Sequence, residues 1–304
     1  MDSIMQKFSV WISAIRLRTL PLSISGIILA SCLAAYDGVF DWGIFTLAIL
    51  TTLSFQILSN LANDYGDGIK GTDNNDRIGP ERAIQSGKIT PEELFNGIKI
   101  NILVSIGLAF FLVFWSFGVS HFWLTLFFFL LGIASVAAAL RYTIGAKAYG
   151  YRGLGDVFVF VFFGLISVVG CYVLYAKQVN HVVYLPAITV GLLSTGVLNL
   201  NNMRDRVSDE KSNKITLAVK LGGERAKTYH NALITMAIVT SALFGVLYYT
   251  SPFNLMFIVA YIPLILHLKR VNKNTIPKQL DPELKKLALT TVLLAILMGV
   301  GHLL

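Results

Sequence analysis

Nine apolar segments, each close to the length that crosses a lipid bilayer, restrict the fold of this 304-residue sequence more than any other feature. A membrane-spanning helix needs about 20 mostly apolar residues. Because 55% of the residues are hydrophobic and only 14% are charged, the chain lacks the polar surface that a soluble protein of this length needs. The nine predicted spans cover residues 14–36, 43–63, 99–118, 122–141, 154–176, 182–203, 230–249, 253–268 and 287–304.

The spans are predicted to be helices rather than strands. Runs such as FWLTLFFFLLGIA and VFVFVFFGLISVV are long, and they show no alternation of polar and apolar residues. A helix also satisfies its own backbone hydrogen bonds, which lipid cannot do. We therefore expect a single all-α membrane domain over residues 1–304.

The distribution of positive charge predicts which loops face the cytoplasm. The alternate loops YDGVFD, GVSHF, AKQVNH and YTSPF hold Lys177 alone of the 25 Lys and Arg. Basic residues concentrate in loops that stay in the cytoplasm. The N-terminus and loops 64–98, 142–153, 204–229 and 269–286 are therefore predicted to be cytoplasmic.

The net charge of +8 is explained by this topology and by attraction for anionic headgroups or substrates. We expect no binding to nucleic acid, because the chain has no basic soluble domain that would carry it.

One motif occurs twice. Asn60-x-x-x-Asp64 closes the second predicted span, and Asn201-x-x-x-Asp205 closes the sixth, 141 residues later. Four helices separate the equivalent positions, so the sequence predicts two four-helix pseudo-repeats and an added ninth helix. Parallel repeats bring matching sites together near a pseudo-axis. We therefore expect the two motifs to face each other across a central cavity that is open to the cytoplasmic side.

The spacing of these motifs predicts a metal site. Residues four apart share a helix face, as Asn60 and Asp64 do, and as Asn201, Asp205 and Asp209 do. Carboxylates this close to each other and to lipid need a cation between them. Asp and Asn oxygens suit Mg²⁺, which fills its other positions with water and substrate phosphate. Solvated loop groups and helix caps are the alternative, which the second copy disfavours.

Other polar residues near the motifs are candidates for the same site. Asp73 is a further candidate metal ligand, whereas Asp67 and Asp76 are candidates for holding water or basic partners. Tyr142 is a candidate for lining the pocket or for anchoring the interface. The basic candidates for neutralising a diphosphate are Arg77, Arg82, Lys88, Arg141 and Lys147.

These stretches resemble the UbiA superfamily of intramembrane aromatic prenyltransferases. The resemblance rests on NLANDYGDGIKGTDNNDRIGP, YGYRGLGDVFVFVFFG, NNMRDRVSDEKSNKITLAVKLG and RLRTLPLSISGIILA. It is closest to the branch that prenylates 1,4-dihydroxy-2-naphthoate. Leu61 and Gly68 depart from the NDxxDxxxD motif typical of the 4-hydroxybenzoate branch, and the long separation of Asp64 and Asp73 resembles the naphthoate branch.

The resemblance implies transfer of a polyprenyl group from polyprenyl diphosphate to 1,4-dihydroxy-2-naphthoate, with loss of CO₂ and diphosphate, to give demethylmenaquinone in menaquinone biosynthesis. It implies Mg²⁺ as cofactor, membrane lipid as surroundings and the plasma (inner) membrane of a bacterium as location. The active site and the N-terminus are expected on the cytoplasmic side.

The same resemblance implies roles for individual residues of this sequence. The expected metal ligands are Asn60, Asp64, Asp73, Asn201, Asp205 and Asp209. The expected catalytic residues are Asp64, Asp205, Asp209 and Lys147. The expected substrate-binding residues are Arg18, Asp67, Asp76, Arg77, Arg82, Lys88, Tyr142, Lys147 and Asn202.

Several alternatives stand beside this interpretation. Another aromatic quinone precursor, such as 4-hydroxybenzoate, is the alternative acceptor. A divalent-cation transporter is the alternative of another class, although transporters more usually hold their ionisable groups at mid-membrane. A CDP-alcohol phosphotransferase is disfavoured because Lys70 and Gly71 replace the Ala-Arg of its signature. A haem protein is disfavoured because the five His residues are predicted to form no pair suited to axial ligation.

Overall fold

The computed structural model describes the backbone of residues 2–74 and 77–304 and, within those ranges, the side chains from Ser9 onward. Over these residues the chain is all-helical, with no strand, and nine helices are long and apolar enough to cross a membrane. This confirms the predicted nine-span, all-α architecture. In chain order, α1 to α9 are Ser9–Tyr36, Trp42–Ile69, Pro91–Phe117, Phe122–Arg141, Gly155–Ala176, His181–Lys211, Gly223–Leu247, Pro252–Lys273 and Pro277–Leu303.

Several helices run further at their polar ends than the apolar segments predict. Helix α3 begins at Pro91 instead of residue 99, because Thr90 and Glu93 form a capping box. The Thr90 hydroxyl accepts from the Glu93 backbone N at 3.2 Å, and the Glu93 carboxylate accepts from the Thr90 N at 2.9 Å. A prediction from hydropathy ends each helix at its last apolar residue, whereas caps and paired charges extend the real helix beyond that residue.

The same extension carries both Asn/Asp motifs into regular helix. Helix α2 continues to Ile69 and α6 continues to Lys211. Asp64 and Asp67 are therefore helical and buried near the end of α2. This fixes each motif on a rigid element rather than on a loop.

The helices pack in two groups. Helix α2 packs mainly on α3, with α4 lying against both, and α6 packs mainly on α5 and α7. Helix α9 lies against α1, α6 and α8, and α1 also contacts α5. The largest apolar core takes its buried residues from α1 to α3 and from α5 to α9. A cavity remains between the two groups.

Helix α5 changes its geometry along its length. It is α-helical over Gly155–Val159, a π-helix over Phe160–Gly170 and α-helical again over Cys171–Ala176. A π-helix is rare and is found frequently at functional sites.

A close crossing of α5 and α6 holds this unusual segment in place. A Cβ atom on Gly164 would lie 2.6 Å from the backbone oxygen of Ala187 and 2.7 Å from the Cα of Gly191. Small residues at a crossing let two membrane helices approach closely. The π segment is thus packed backbone to backbone against α6.

We predict that Gly164→Ala destabilises the protein by about 1–3 kcal/mol, because the added methyl group forces the two backbones apart. The apparent midpoint of thermal unfolding in detergent should fall. Gly107→Ala in α3 is the matched control, since its Cβ would meet nothing within 4 Å. Equal midpoints for the two variants would contradict the assigned crossing.

Candidate active site

A cavity of about 410 Å³ extends into the bundle from the place where α2 and α6 end, which we call the polar end of the bundle. Residues from both Asn/Asp motifs line it, so the two copies meet as their spacing predicts. The predicted site residues in its lining are Arg18, Asn60, Asp67, Asp73, Arg77, Arg82, Tyr142, Asn201, Asn202, Asp205 and Asp209.

A break in α1 orients the first motif. The helix stops at Ile15 and resumes at Leu20, and Arg16 between them has the left-handed φ of 57°. The Asn60 amide donates to the backbone oxygen of Ile15 at 2.8 Å and to the Thr19 hydroxyl at 3.1 Å. The break therefore exposes the backbone oxygen that fixes Asn60.

Asp64 is held by two arginines. Its Oδ1 pairs with Arg16, and the Nη1 of Arg82 lies 3.4 Å from the same oxygen. Asp64 itself is 1% exposed, so it lies just behind the cavity wall and meets the cavity through these guanidinium groups. Burial, followed by the nearby charge of Arg16, lowers the pKa of Arg82.

Arg77 joins the two motifs. Its Nε lies 3.0 Å from Asp73 Oδ1, and its Nη2 lies 3.9 Å from Asp205 Oδ2. The second oxygen of Asp73, Oδ2, is buried and has no hydrogen-bond partner in the part of the chain that the structure describes. Burial and the charge of Asp67 raise the pKa of Asp73. The Oδ2 atom of Asp73 is therefore able to accept a ligand.

Asp67 is paired with a lysine that follows the second motif. The Nζ of Lys214 lies 2.9 Å from Asp67 Oδ2, and the Tyr151 hydroxyl donates to Asp67 Oδ1 at 2.7 Å. Burial alone would lower the pKa of Lys214, but the charges of Asp67 and Asp209 outweigh it and raise that pKa. Lys214 therefore stays cationic in the cavity wall.

A fully buried arginine orients the second motif. Arg204 donates from Nε to Asp205 Oδ1 at 2.8 Å and from Nη2 to Asp205 Oδ2 at 2.6 Å. Its Nη2 also donates to Asn201 Oδ1 at 2.9 Å, and its Nη1 pairs with Asp281 of α9. A two-pronged contact of this kind fixes the plane of the carboxylate.

The residues present fit a Mg²⁺ ion that is shared with a phosphate. Among the described residues, no group of three or more His, Cys, Asp and Glu lies close enough to enclose a metal. A closed cage is not what Mg²⁺ needs, because it usually takes one or two carboxylates and completes its shell with water and substrate phosphate. The free Oδ2 of Asp73 and the oxygens of Asn201 and Asp209 at the cavity supply hard ligands of the required kind.

The model of the UbiA prenyltransferase family matches residues 24–297 of the chain. The chain belongs to the UbiA prenyltransferase family. It is 39% identical over 300 residues to the 1,4-dihydroxy-2-naphthoate octaprenyltransferase of Haemophilus influenzae, covering 97% of this chain and 96% of that relative. It is 41% identical over 294 residues to the Escherichia coli protein of the same name, covering 94% of each.

A solved structure shares the fold of this UbiA-family chain. The structure of a UbiA homolog from Archaeoglobus fulgidus bound to GPP and Mg²⁺ superposes with a TM-score of 0.62 and 14% sequence identity. The match covers 94% of this chain and 98% of that chain. At this identity the likeness concerns the fold alone.

Some predicted site residues of the UbiA-family chain lie away from the cavity. Lys88 and Lys147 are exposed, and neither is among the described residues of its lining. The structure therefore does not bring Lys147 to the carboxylates with which it was expected to act. Arg18 lies at the lining with its Nη1 3.9 Å from Asp281 Oδ2. Asp76 lies outside the described residues.

Sequence reasoning missed three cations of the site. Arg204 stood inside the second motif, three residues after Asn201, where a basic residue at the end of a span signals a partner for the neighbouring carboxylate. Arg16 and Lys214 carried no such signal, because Lys and Arg are expected in these regions on topological grounds alone. Only the fold brings them to Asp64 and Asp67.

Two of the five histidines pair with each other, although not as axial ligands. His230 and His267 do meet within the bundle, with 2.9 Å between their Nε2 atoms, and His267 Nδ1 lies 2.9 Å from Glu283 Oε2. The pair joins α7 to α8, which hydropathy alone could not predict. Axial ligands about 2 Å from a metal lie about 4 Å apart on its opposite sides. The observed separation is that of a hydrogen bond between the two rings.

We predict that Arg204→Met lowers the free energy of unfolding by about 3–5 kcal/mol, because it leaves Asp205 buried without its cation. The measurement is the thermal unfolding midpoint in detergent. Arg206→Met, two positions along the same helix and only half-buried, is the matched control and should change stability by less than about 0.5 kcal/mol. Similar losses in both variants would contradict the role given to Arg204.

Proposed function

We propose that this UbiA-family enzyme transfers a polyprenyl group from polyprenyl diphosphate to 1,4-dihydroxy-2-naphthoate, releasing CO₂ and diphosphate and giving the prenylated naphthoquinol, which is the reduced form of demethylmenaquinone. The single observation that carries the proposal is one cavity that has a charged, polar part and an apolar part. Asp, Asn, Arg and Lys of both motifs line its polar end, and aromatic and aliphatic residues line the rest. The names of the relatives described above support dihydroxynaphthoate as the acceptor.

The polar end suits a diphosphate. Arg77, Arg82 and Lys214 reach the cavity with guanidinium and ammonium groups, and each is also held by a carboxylate of the first motif or of the residues that follow it. Donors fixed in this way stabilise the charge that develops on a leaving diphosphate. When bound, Mg²⁺ supplies further stabilisation of that leaving group. The relative solved with GPP and Mg²⁺ supports this assignment.

The apolar wall suits the other half of the reaction. The donor C1–O bond breaks with its electron pair leaving on diphosphate, and the electron-rich ring forms a new bond to C1. The ring bond to the carboxylate then breaks, CO₂ leaves and its electron pair restores the aromatic ring. Tyr149 and Phe158 stack 3.8 Å apart beside the polar end. Their faces favour an allylic cation, and the dry wall keeps water from it.

The far end of the bundle disfavours the transporter alternative. Phe117 and Tyr175 are buried there. Lys177 lies 5.0 Å from the centre of the Phe117 ring and donates to the Ser116 hydroxyl at 2.8 Å. A cation entering at the polar end would meet close packing instead of a second exit. A cavity that ends in this way favours an enzyme over a cation transporter.

We also infer that residues 1–304 form one domain of a bacterial plasma (inner) membrane protein whose polar end faces the cytoplasm. The distribution of the 25 Lys and Arg supports this orientation, since Lys177 alone lies in the four short loops at the other side.

We predict that Asp64→Asn and Asp205→Asn each reduce prenyl transfer in isolated membranes by at least about 100-fold, because each removes charge that orients the donor and its Mg²⁺. Both variants should still insert, which immunoblotting of membranes checks. Glu210→Gln is the control, because Glu210 is exposed on the same helix as Asp205. Wild-type turnover in either Asn variant would contradict the role proposed for these two carboxylates in binding the donor diphosphate and its Mg²⁺.

We predict that isolated membranes supplied with a polyprenyl diphosphate prenylate dihydroxynaphthoate but not 4-hydroxybenzoate. Mass spectrometry should detect the prenylated naphthoquinol without its carboxylate, and EDTA should abolish it until excess Mg²⁺ is added. Prenylated hydroxybenzoate as the only product would reassign the acceptor. Flux of Mg²⁺ into protein-containing liposomes, without any turnover of donor, would favour the transporter.

A further inference from the structure

Most of the cavity beyond the two motifs is apolar, and helix α2 is the exception. Its lining residues recur at intervals of three and four positions between Ala48 and Asp67, as one side of a regular helix does. Four polar residues extend this side beyond the first motif into the bundle, namely Thr51, Thr52, Gln56 and Ser59. Among the described lining residues that lie deeper than the two motifs, Gln56 alone carries an amide. Polar side chains inside a membrane span are costly to bury and usually functional.

Gln56 and Ser59 have hydrogen-bonding groups available to a ligand. The amide nitrogen of Gln56 donates to Asn60 Oδ1 at 3.1 Å, so the side chain bends toward the polar end. Within the part of the chain that the structure describes, Gln56 Oε1 accepts no hydrogen bond and the Ser59 hydroxyl makes none. Thr51 shows the usual alternative, since its hydroxyl donates to the backbone oxygen of Leu47 at 2.7 Å.

The wall beside this polar face of α2 is made of small residues. Those that line the cavity from α4 are Gly132, Ser135, Ala138 and Ala139. The Thr143 hydroxyl donates to the backbone oxygen of Ala62 at 2.8 Å, which fixes the level of α4 against α2. Both helices run toward the polar end, so Ala138 lies at about the level of Gln56 and Ser59. Small side chains next to a polar face leave room for a flat ring.

The reacting carbon of the donor belongs at the same level. The Tyr149 hydroxyl donates to the backbone oxygen of Ala138 at 2.9 Å, and the Tyr149 ring stacks on Phe158. This aromatic pair, which favours the allylic cation, therefore lies at the level of Gln56 and Ser59. An acceptor ring must lie against C1 of the donor to form a bond with it. Its polar substituents then meet the polar face of α2.

We infer that Gln56 and Ser59 bind the aromatic acceptor, and that Gln56 selects an acid with a hydroxyl group next to the reacting carbon. The inference rests on the proposed function, which supplies the ring and the reacting carbon. In dihydroxynaphthoate the 1-hydroxyl stands beside the carbon that bears the carboxylate, whereas 4-hydroxybenzoate has no hydroxyl at that place. A site that binds a substrate hydroxyl rejects analogues without it, because its own buried group is then left unpaired.

The same contact assists the reaction. Gln56 Oε1 accepts a hydrogen bond from the 1-hydroxyl, and this polarises the hydroxyl group. The neighbouring ring carbon gains electron density and attacks C1 of the donor more readily. The proton stays on the hydroxyl oxygen, and the electron pair that restores the ring comes from the bond to the departing CO₂.

The test measures KM for acceptor and donor separately in membranes that carry wild-type enzyme, Gln56→Met or Ser59→Ala. We expect KM for dihydroxynaphthoate to rise about tenfold in Gln56→Met and about threefold in Ser59→Ala, as expected for one lost hydrogen bond each. KM for the polyprenyl diphosphate should not change. Ser59→Thr keeps a hydroxyl and should restore the acceptor KM. Ser54→Ala is the matched control, because Ser54 lies on the same helix outside the cavity lining and bonds to Ser105 at 2.7 Å.

Two analogues of the acceptor identify the hydroxyl that Gln56 binds. 1-Hydroxy-2-naphthoate keeps the hydroxyl next to the carboxylate and 4-hydroxy-2-naphthoate lacks it, and both are measured as inhibitors of dihydroxynaphthoate prenylation. Gln56→Met should raise the inhibition constant of the first about tenfold and leave that of the second unchanged. Equal shifts of the two constants, or an unchanged acceptor KM in Gln56→Met, would overturn the inference.

The same data separate acceptor binding from an indirect effect through Asn60. If Gln56 only oriented Asn60, Gln56→Met would raise the donor KM and the Mg²⁺ concentration for half-maximal turnover and leave both inhibition constants unchanged, which would refute the inference. Immunoblotting checks insertion, and if Gln56→Met fails to insert, the acceptor KM of Ser59→Ala and Ser59→Thr decides the matter. Wild-type membranes that prenylate no aromatic acid would refute the proposed function as well, whereas an active wild type with unresponsive variants would refute the inference alone.

Discussion

The structure depends on the neutralisation of carboxylates buried at the end of a membrane bundle. Asp64, Asp67 and Asp205 are each paired with arginine or lysine, and the partner comes from another helix or loop in the first two cases. Leaving any of these charges unpaired near lipid costs several kcal/mol. The ion pairs therefore fix helix positions as well as charge. Arg77, between Asp73 and Asp205, links the two motifs directly.

The same pairing prepares the cavity for an anionic substrate. Cations that already point at the cavity need little rearrangement to meet a diphosphate, and the carboxylates behind them keep their positions. Electrostatic preorganisation of this kind stabilises charge that appears during a reaction without a cost of reorientation at that moment. Asp73 differs from Asp64, Asp67 and Asp205, because one of its oxygens has no hydrogen-bond partner among the described residues.

The sequence predicted the architecture and the meeting of the two motifs, because span length and a repeated motif at equivalent helix ends are local patterns. It did not predict the positions of Arg16 and Lys214, which reach Asp64 and Asp67 only through the tertiary fold. Lys147 resembled them in sequence yet is exposed. The π segment of α5 was also not predicted, since hydropathy carries no information on the register of backbone hydrogen bonds.

Gly164 and Gly170 mark two faces of α5 that serve different purposes. Gly164 faces α6 at a contact where a single methyl group is too large, whereas Gly170 lines the cavity, where a Cβ would make only ordinary contacts. Changes on the cavity side can therefore accumulate without disturbing the crossing that supports the fold. A helix arranged in this way lets related proteins diverge in the substrates they accept while the same scaffold persists, so sequence variation in this family should be tolerated along one side of α5 and suppressed along the other.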